Sequence, residues 1–236
     1  MSAINSQINI QITTQKLNDT STDSSESLPF IPARESQVFI SLFDLYCHWL
    51  FWRRFESVGI ECDYKPDKGQ KTIYYLNHNS WWDGLIPFLL NQRLFGQNAR
   101  GMMEDVQLHR YKFFRRIGVF SINLTSPRSS MQSLRYAIKS MERPNAALYI
   151  YPQGKIVPFS TGPLDFRSGI GWLAKKLPNA DLVPVGIYIH TKVNDKPTLE
   201  IRVGDAVTIS RHKPADEINH RLEEELSNIL QHMVSR

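Results

Sequence analysis

Ala146-Ala147-Leu148-Tyr149-Ile150-Tyr151 is an apolar run with no polar alternation, and Pro152-Gln153-Gly154-Lys155 ends it. A strand with one wet face alternates apolar and polar residues. A run without alternation predicts a strand covered on both faces, as in a parallel sheet with helices above and below. Residues 71–76 upstream and 182–189 downstream (Leu-Val-Pro-Val-Gly-Ile-Tyr-Ile) are of the same kind. Between and around them the apolar spacing turns helical. Helices are predicted over 84–95 (Leu85, Phe88, Leu89 and Leu94 inward), over 105–116, and after the cap at Ser126 (Met131, Leu134, Ala137, Ile138, Met141). Two more are predicted over 168–177 and 216–233, the latter burying Ile218, Leu222, Leu226, Ile229 and Met233. Gly118 to Asn123 and Gly101 to Met103 read as shorter strands, and 198–209 as one or two more. Strands alternating with helices at this spacing predict a single α/β domain with a largely parallel central sheet flanked by helices.

The ends of the chain divide differently. Residues 1–33 are rich in Ser, Thr, Asn, Gln and Asp, offer little apolar surface to offset ordering entropy, and read as a disordered tail. Residues 34–58 contain a stretch dense in aromatics that ends in Arg53-Arg54. Asp44 and His48 interrupt it, and its length is at the lower limit for a bilayer span. Two readings stand: an amphipathic, membrane-associating helix lying in the interface, with Trp49 and Trp52 at headgroup level, or a first helix packed on the domain. The folded domain is expected over 59–236.

Bulk properties narrow the function. A mean hydropathy of −0.33 excludes a polytopic membrane protein. A net charge of +5 points to an anionic partner. No nucleic-acid-binding module is recognisable, so nucleic acid is not an expected partner. With only two cysteines, and no Cys/His spacing of a zinc site, neither a disulfide framework nor a metal is expected. No basic region followed by an apolar core opens the chain, so no secretory signal is expected.

Chemistry concentrates where strands end, the place open α/β sheets put reactive groups. The strand over 71–76 runs into Asn77-His78-Asn79-Ser80-Trp81-Trp82-Asp83. A carboxylate beside an imidazole fixes its tautomer and stabilises the imidazolium, so His78 with Asp83 can deprotonate a hydroxyl. Other strand ends supply Asn123 with Arg128, and Gln153, Gly154 and Lys155. No Gly-x-Ser-x-Gly elbow is present and neither cysteine follows such a strand, which favours direct attack by a substrate hydroxyl over a covalent enzyme intermediate.

These blocks together resemble the glycerolipid (1-acylglycerol-3-phosphate, lysophospholipid) acyltransferase family. Asn77-His78 through Asp83 resembles its Asn-His-x-x-x-x-Asp motif, and Gly118 to Asn123 its second block. Tyr151-Pro152-Gln153-Gly154 resembles Phe-Pro-Glu-Gly, Phe166-Arg167-Ser168-Gly169 resembles Phe-Lys-x-Gly, and Val183-Pro184-Val185 resembles the final Val-Pro block. The resemblance implies acyl transfer from a thioester, acyl-CoA or acyl carrier protein, to a hydroxyl of a lipid acceptor, with no metal or redox cofactor. It implies His78 as general base and Asp83 as its orienting partner. It places Gly154 and its neighbours at the acceptor or oxyanion region and Pro184 at the acyl site. With the residues' own reading, the substrate-binding candidates are Asn77, Asn123, Arg128, Gln153, Gly154, Lys155 and Pro184, Arg128 and Lys155 serving as displaced cations. The resemblance also implies a peripheral or monotopic protein on the cytoplasmic face of a membrane. The chain departs from the pattern at Leu124 and Ile156, where the family has arginines that grip an acceptor phosphate, and at Gln153 and Lys155. The acceptor therefore stands open between lysophosphatidate and a glycolipid-type hydroxyl such as a glycosylated isoprenoid. A non-catalytic lipid-binding protein keeping this fold, and a thioesterase, are the rival readings.

Overall fold

A computed structural model describes residues 28–191 and 195–235. The elements run α1 (Gln37–Arg54), β1 (Ser57–Cys62), β2 (Lys71–Leu76), α2 (Ile86–Leu90), β3 (Asn98–Glu104), α3 (Asp105–Arg110), β4 (Val119–Ile122) and α4 (Pro127–Ser140). They continue with β5 (Ala146–Ile150), α5 (Gly169–Lys176), β6 (Ala180–His190), β7 (Thr198–Val203) and α6 (Ala215–Val234). Short helical turns join some of them, tight over Trp81–Leu85 and Lys112–Ile117 and wide over Asn91–Phe95.

The seven strands form one sheet in the order β1-β7-β6-β2-β5-β3-β4. Every neighbouring pair is parallel except β6 with β7. The largely parallel sheet expected from the unbroken apolar runs is present, and its side chains say why. Tyr74, Leu76, Ala147, Tyr149, Val183, Val185 and Ile187 face one core, packed under α1 and α2. Ile73, Tyr75, Ala146, Leu148, Ile150 and Leu182 face the other, under α4, α5 and α6. A strand that feeds two cores has no position left for a polar residue.

The strand order determines what passes over the carboxyl end of β2. β2 lies between β5 and β6, so the connection from β5 to β6 must cross β2. The stretch after Ile150 does this, and Val157 N–H donates to the carbonyl of His78 at 2.9 Å.

Several local expectations are revised. The 105–116 helix breaks at Tyr111, and a tighter turn carries Phe114 into the core and delivers the chain to β4. Gly118 makes that entry at φ +99, where a Cβ would lie 2.7 Å from the carbonyl oxygen of Ala99; only glycine fits. Leu94 points outward because the helix over 84–95 tightens and then widens, so Ile86 and Leu90 take the inward positions. α6 buries Leu230 where Ile229 was expected, Ile229 being only partly covered. Of the one or two strands expected over 198–209, the described residues hold one, β7, which ends at Val203.

Residues 28–33 are part of the packed structure. Ile31 exchanges hydrogen bonds with Ser121 on β4, the edge strand, and Phe30 packs on Phe120 and Tyr136. Covering an open strand edge in this way removes a site of unwanted pairing. The rest of the expected tail, residues 1–27, lies outside the described residues.

α1 packs on the domain through one face and carries a second apolar face outside it. Phe43, Cys47, Leu50 and Phe51 are buried on the domain. Val38, Leu42, Leu45, Trp49 and Trp52 form a second apolar stripe on the same helix, and all five are exposed, Trp52 by 76%. Among the described residues no helix is long and apolar enough to cross a membrane.

Candidate active site

β2 is buried along its length and stops at Leu76, so the next polar residues emerge together at its carboxyl end. The first, Asn77, is buried. Its Oδ1 accepts from the N–H of Ile187 at 2.7 Å and its Nδ2 donates to the carbonyl of Ile187 at 2.9 Å. The carboxamide splices β2 to β6 beyond their last backbone pair, which engages both of its ends inside the protein.

His78 follows, and the turn over Trp81–Leu85 swings Asp83 back beneath it. His78 Nδ1 lies 3.0 Å from Asp83 Oδ2. The same oxygen accepts from the N–H groups of Asn79 (2.6 Å) and Ser80 (2.8 Å), and Oδ1 accepts from Ser80 Oγ (2.6 Å). Asp83 is fully buried, and its charge is met by these four donors. One carboxylate therefore closes the turn and orients the imidazole. With Nδ1–H donating to Asp83, the lone pair is on Nε2. Nε2 has no protein partner among the described residues, and the His78 side chain keeps 20% exposure, enough for a hydroxyl to reach it.

The crossing segment holds His78 from the other side. Gln153 Oε1 accepts the backbone N–H of His78 at 2.7 Å, and Gln153 is buried. The ring of Tyr151 lies with its centroid 4.4 Å from that of His78. The Tyr151 hydroxyl donates to the backbone carbonyl of Asp83. Burial pushes its phenol well above the ordinary range, and the nearby Asp83 charge adds to this, so the hydroxyl stays protonated and remains a donor. Backbone N–H, backbone carbonyl and ring of His78 are all fixed by residues 151–157.

Gly154 turns the chain at φ +68. A Cβ there would lie 2.6 Å from Nε of Arg167 and 3.2 Å from a methyl of Leu124. The loop after β4 thus folds back to the Gly154 turn, although β4 is two strands beyond β5. Leu124 reaches it, whereas Asn123 does not. Asn123 donates to Asp105 and accepts from the N–H groups of Thr125 and Ser126, knitting the entry to α4. Arg128, in the first turn of α4, and Lys155 are exposed.

Pro184 is buried mid-strand in β6, opposite Tyr75. Its carbonyl accepts from Gly204 N–H just past the end of β7, and with no N–H on Pro184 to return the bond the β6–β7 ladder stops there. It borders a cavity on the α6 side of the sheet, with Gly204, Arg221 and Ile229. β6 meets the His78 end of the sheet further on, at Ile187. Among the described residues no three His, Cys, Asp or Glu side chains cluster as a metal set.

A family model described as Acyltransferase matches residues 59–189, more than half of the chain. The chain belongs to the acyltransferase family. A solved structure, the 1-acyl-sn-glycerophosphate (LPA) acyltransferase PlsC from Thermotoga maritima, superposes with a TM-score of 0.59. That match covers 84% of this chain and 81% of the other at 16% identity, and it establishes the common fold. No curated protein matches the chain. The acyltransferase match contains β2, the Asp83 turn, β5 and the crossing segment, so all residues around His78 described above fall inside it.

Two residues of this candidate site had no assigned role on sequence grounds. Tyr151 stood in the third block, yet only the fold shows its ring on His78. Arg167 stood in the fourth, thirteen residues from the glycine it covers, with nothing local to indicate that contact.

Proposed function

We propose that this acyltransferase moves a fatty acyl group from a thioester, acyl-CoA or acyl carrier protein, to a hydroxyl of a lipid acceptor, with His78 as general base and Asp83 as its orienting partner. The observation that carries the reading is the His78–Asp83 pair, 3.0 Å apart, with Nε2 accessible and the imidazole held on every other side. The acceptor hydroxyl gives its proton to Nε2 while its oxygen attacks the thioester carbonyl carbon. Collapse of the tetrahedral intermediate breaks the C–S bond, and the sulfur leaves with the proton returned by His78. Charge on Asp83 stabilises the imidazolium between these steps.

The reading places the enzyme on a membrane, at its cytoplasmic face, because the acceptor is a lipid and α1 offers an apolar stripe. Exposed contiguous apolar surface marks an interaction site, and Trp49, Trp52 and the arginines at 53 and 54 suit an interface. α1 also leads to the site: Phe55 packs on Trp82 with centroids 5.0 Å apart, and exposed Trp81 meets Trp82 at 5.5 Å, inside the His78–Asp83 turn.

The test is thiol release from acyl-CoA and from acylated carrier protein in the presence of lipid extract. The intact chain releases thiol only with acceptor present, and His78→Ala abolishes release while the chain still unfolds cooperatively as a folded protein. Asp83→Asn is also severe through loss of tautomer control. Turnover by His78→Ala at the wild-type rate would reject the base assignment, and thiol release without acceptor would make the protein a thioesterase.

A further inference from the structure

We propose that Arg167 binds an oxyanion, phosphate or carboxylate, on the acceptor lipid, an assignment that rests on the acyl-transfer reading above. Three observations carry it. The first is the seat. Gly154 adopts φ +68 and has no side chain at the point where the arginine stem lies; a Cβ would be 2.6 Å from Nε and 2.8 Å from Cδ of Arg167. Any other residue at 154 would displace the guanidinium.

The second is how firmly the backbone at 167 is held. Arg167 N–H donates to the carbonyl of Pro152 at 2.9 Å. Just before it, Glu223 of α6 accepts from the N–H groups of Leu164 (2.7 Å), Asp165 (3.0 Å) and Phe166 (3.3 Å). Asn219 donates to the carbonyl of Phe166 at 2.9 Å, and the Phe166 ring is buried edge-on to Tyr75. The backbone that carries the arginine is therefore fixed, and only the exposed side chain has freedom left to lose on binding.

The third is what the guanidinium lacks. Among the described residues it has no carboxylate or carbonyl partner, a property it shares with arginines such as Arg128; the close seat at Gly154 is what sets it apart. Its side is open to solvent. A planar fork of five N–H donors, seated and unpaired, matches an oxyanion in bidentate fashion. Its location puts it beside the imidazole's flank, where the acyl-transfer reading brings the acceptor hydroxyl: Gly154 is three residues past Tyr151, whose ring lies on His78. Leu124, at the same turn, brings no charge of its own, so Arg167 is the cation the fold itself presses onto Gly154.

The test is equilibrium binding without any thioester, measured by calorimetry on the full chain. The probes are 1-hexanoyl lysophosphatidate, hexyl glucuronide and, as neutral control, 1-hexanoyl glycerol. The wild-type chain should prefer at least one of the two anionic probes. Arg167→Gln should weaken that probe by about tenfold and the neutral one by less than about twofold, with Arg167→Lys between them, because a point charge replaces the fork. The preference should shrink at high salt. Arg167 is exposed, so the variants keep the wild-type unfolding temperature. The two anionic probes separate a phosphate from a carboxylate acceptor. Equal weakening of all three probes, no weakening of any, or no binding of either anion by the wild-type chain overturns the proposal. Acyl transfer is judged separately by thiol release in wild type and His78→Ala, so the two readings fail independently.

Discussion

Gln153 Oε1 accepts the backbone N–H of His78 at 2.7 Å, across 75 residues of sequence. The acceptor atom, and not a charge, is what this contact uses. Gln153→Leu leaves a buried donor unpaired, which costs about 1–3 kcal/mol, and frees the backbone of His78. Gln153→Glu keeps an acceptor at the same place. The expected order of unfolding temperatures is wild type, then Gln153→Glu, then Gln153→Leu, and kcat for thiol release follows the same order. Equal unfolding temperatures for Gln153→Leu and wild type would remove the positioning role.

Tyr151 contributes a ring and a hydroxyl, and the two are separable. Tyr151→Phe keeps the ring on His78 and removes the hydrogen bond to the Asp83 carbonyl, an expected loss of about 1 kcal/mol. Tyr151→Ala removes the packing surface as well and should cost about 3–5 kcal/mol. Activity should survive the first change with a modest fall in kcat and collapse with the second. Chemical denaturation together with thiol-release kinetics distinguishes the contributions.

How much of this was legible beforehand follows from which contacts are local. The buried strands could be read because residues 71–76, 146–150 and 182–187 feed two cores and so contain no polar alternation. His78 and Asp83 could be paired because a single turn joins them. The roles of Asn77 and Asn123 could not, since an asparagine at a strand end looks the same whether it meets a ligand or a backbone. Asn77 spends both ends on Ile187, 110 residues away. The helix over 105–116 misled because its periodicity is genuine; the break at Tyr111 comes from the need to bury Phe114 and enter β4 through Gly118.

The apolar stripe of α1 predicts a surface that a charge will spoil without touching the core. Leu45→Glu and Trp52→Glu both lie on exposed positions, 70% and 76% open. Each should leave thermal unfolding within about 0.5 kcal/mol of wild type, as surface changes do. Both should sharply reduce co-sedimentation with anionic phospholipid vesicles. Cys47→Glu, on the buried stripe, should instead destabilise the fold. Vesicle binding unchanged by the double variant would leave the stripe without a membrane role.

Alkaline pH should destabilise the protein, and the sign follows from buried neutral groups. Burial, reinforced by the nearby Asp44 charge, pushes the Cys47 thiol from 9.0 up to about 12. Burial likewise pushes Tyr64, Tyr74, Tyr75 and Tyr149 upward. In the unfolded chain the thiol ionises near its ordinary value of 9.0 and the phenols near 10.0, while the folded chain keeps its protons. Between those values and the raised ones the unfolded state binds fewer protons, so stability falls as pH rises. Denaturant midpoints should be flat through neutrality and decline from about pH 9. Cys47→Ala should delay the onset towards the tyrosine range, and a midpoint that rises between pH 9 and 11 would contradict the assignment.

Glu223 stands outside the region matched by the family model, yet its two oxygens collect three consecutive backbone N–H groups from the strap that ends at Arg167. Oε1 takes Leu164 and Asp165, and Oε2 takes Phe166 at the longer distance of 3.3 Å. Glu223→Gln can retain Oε1 but replaces the second acceptor with a donor, so it should lose the weakest bond and part of the charge assistance. Glu223→Ala loses all three, each worth at most about 1.5–3 kcal/mol with a charged acceptor. Amide hydrogen exchange should report the difference locally: protection at 164–166 falls slightly in the first variant and strongly in the second, with β2 and β5 unchanged. The loosened strap no longer presses Arg167 onto Gly154, so KM for the acceptor should rise more than kcat falls. Loss of protection throughout β2 and β5 would instead make Glu223 a general stability residue with no specific hold on the strap.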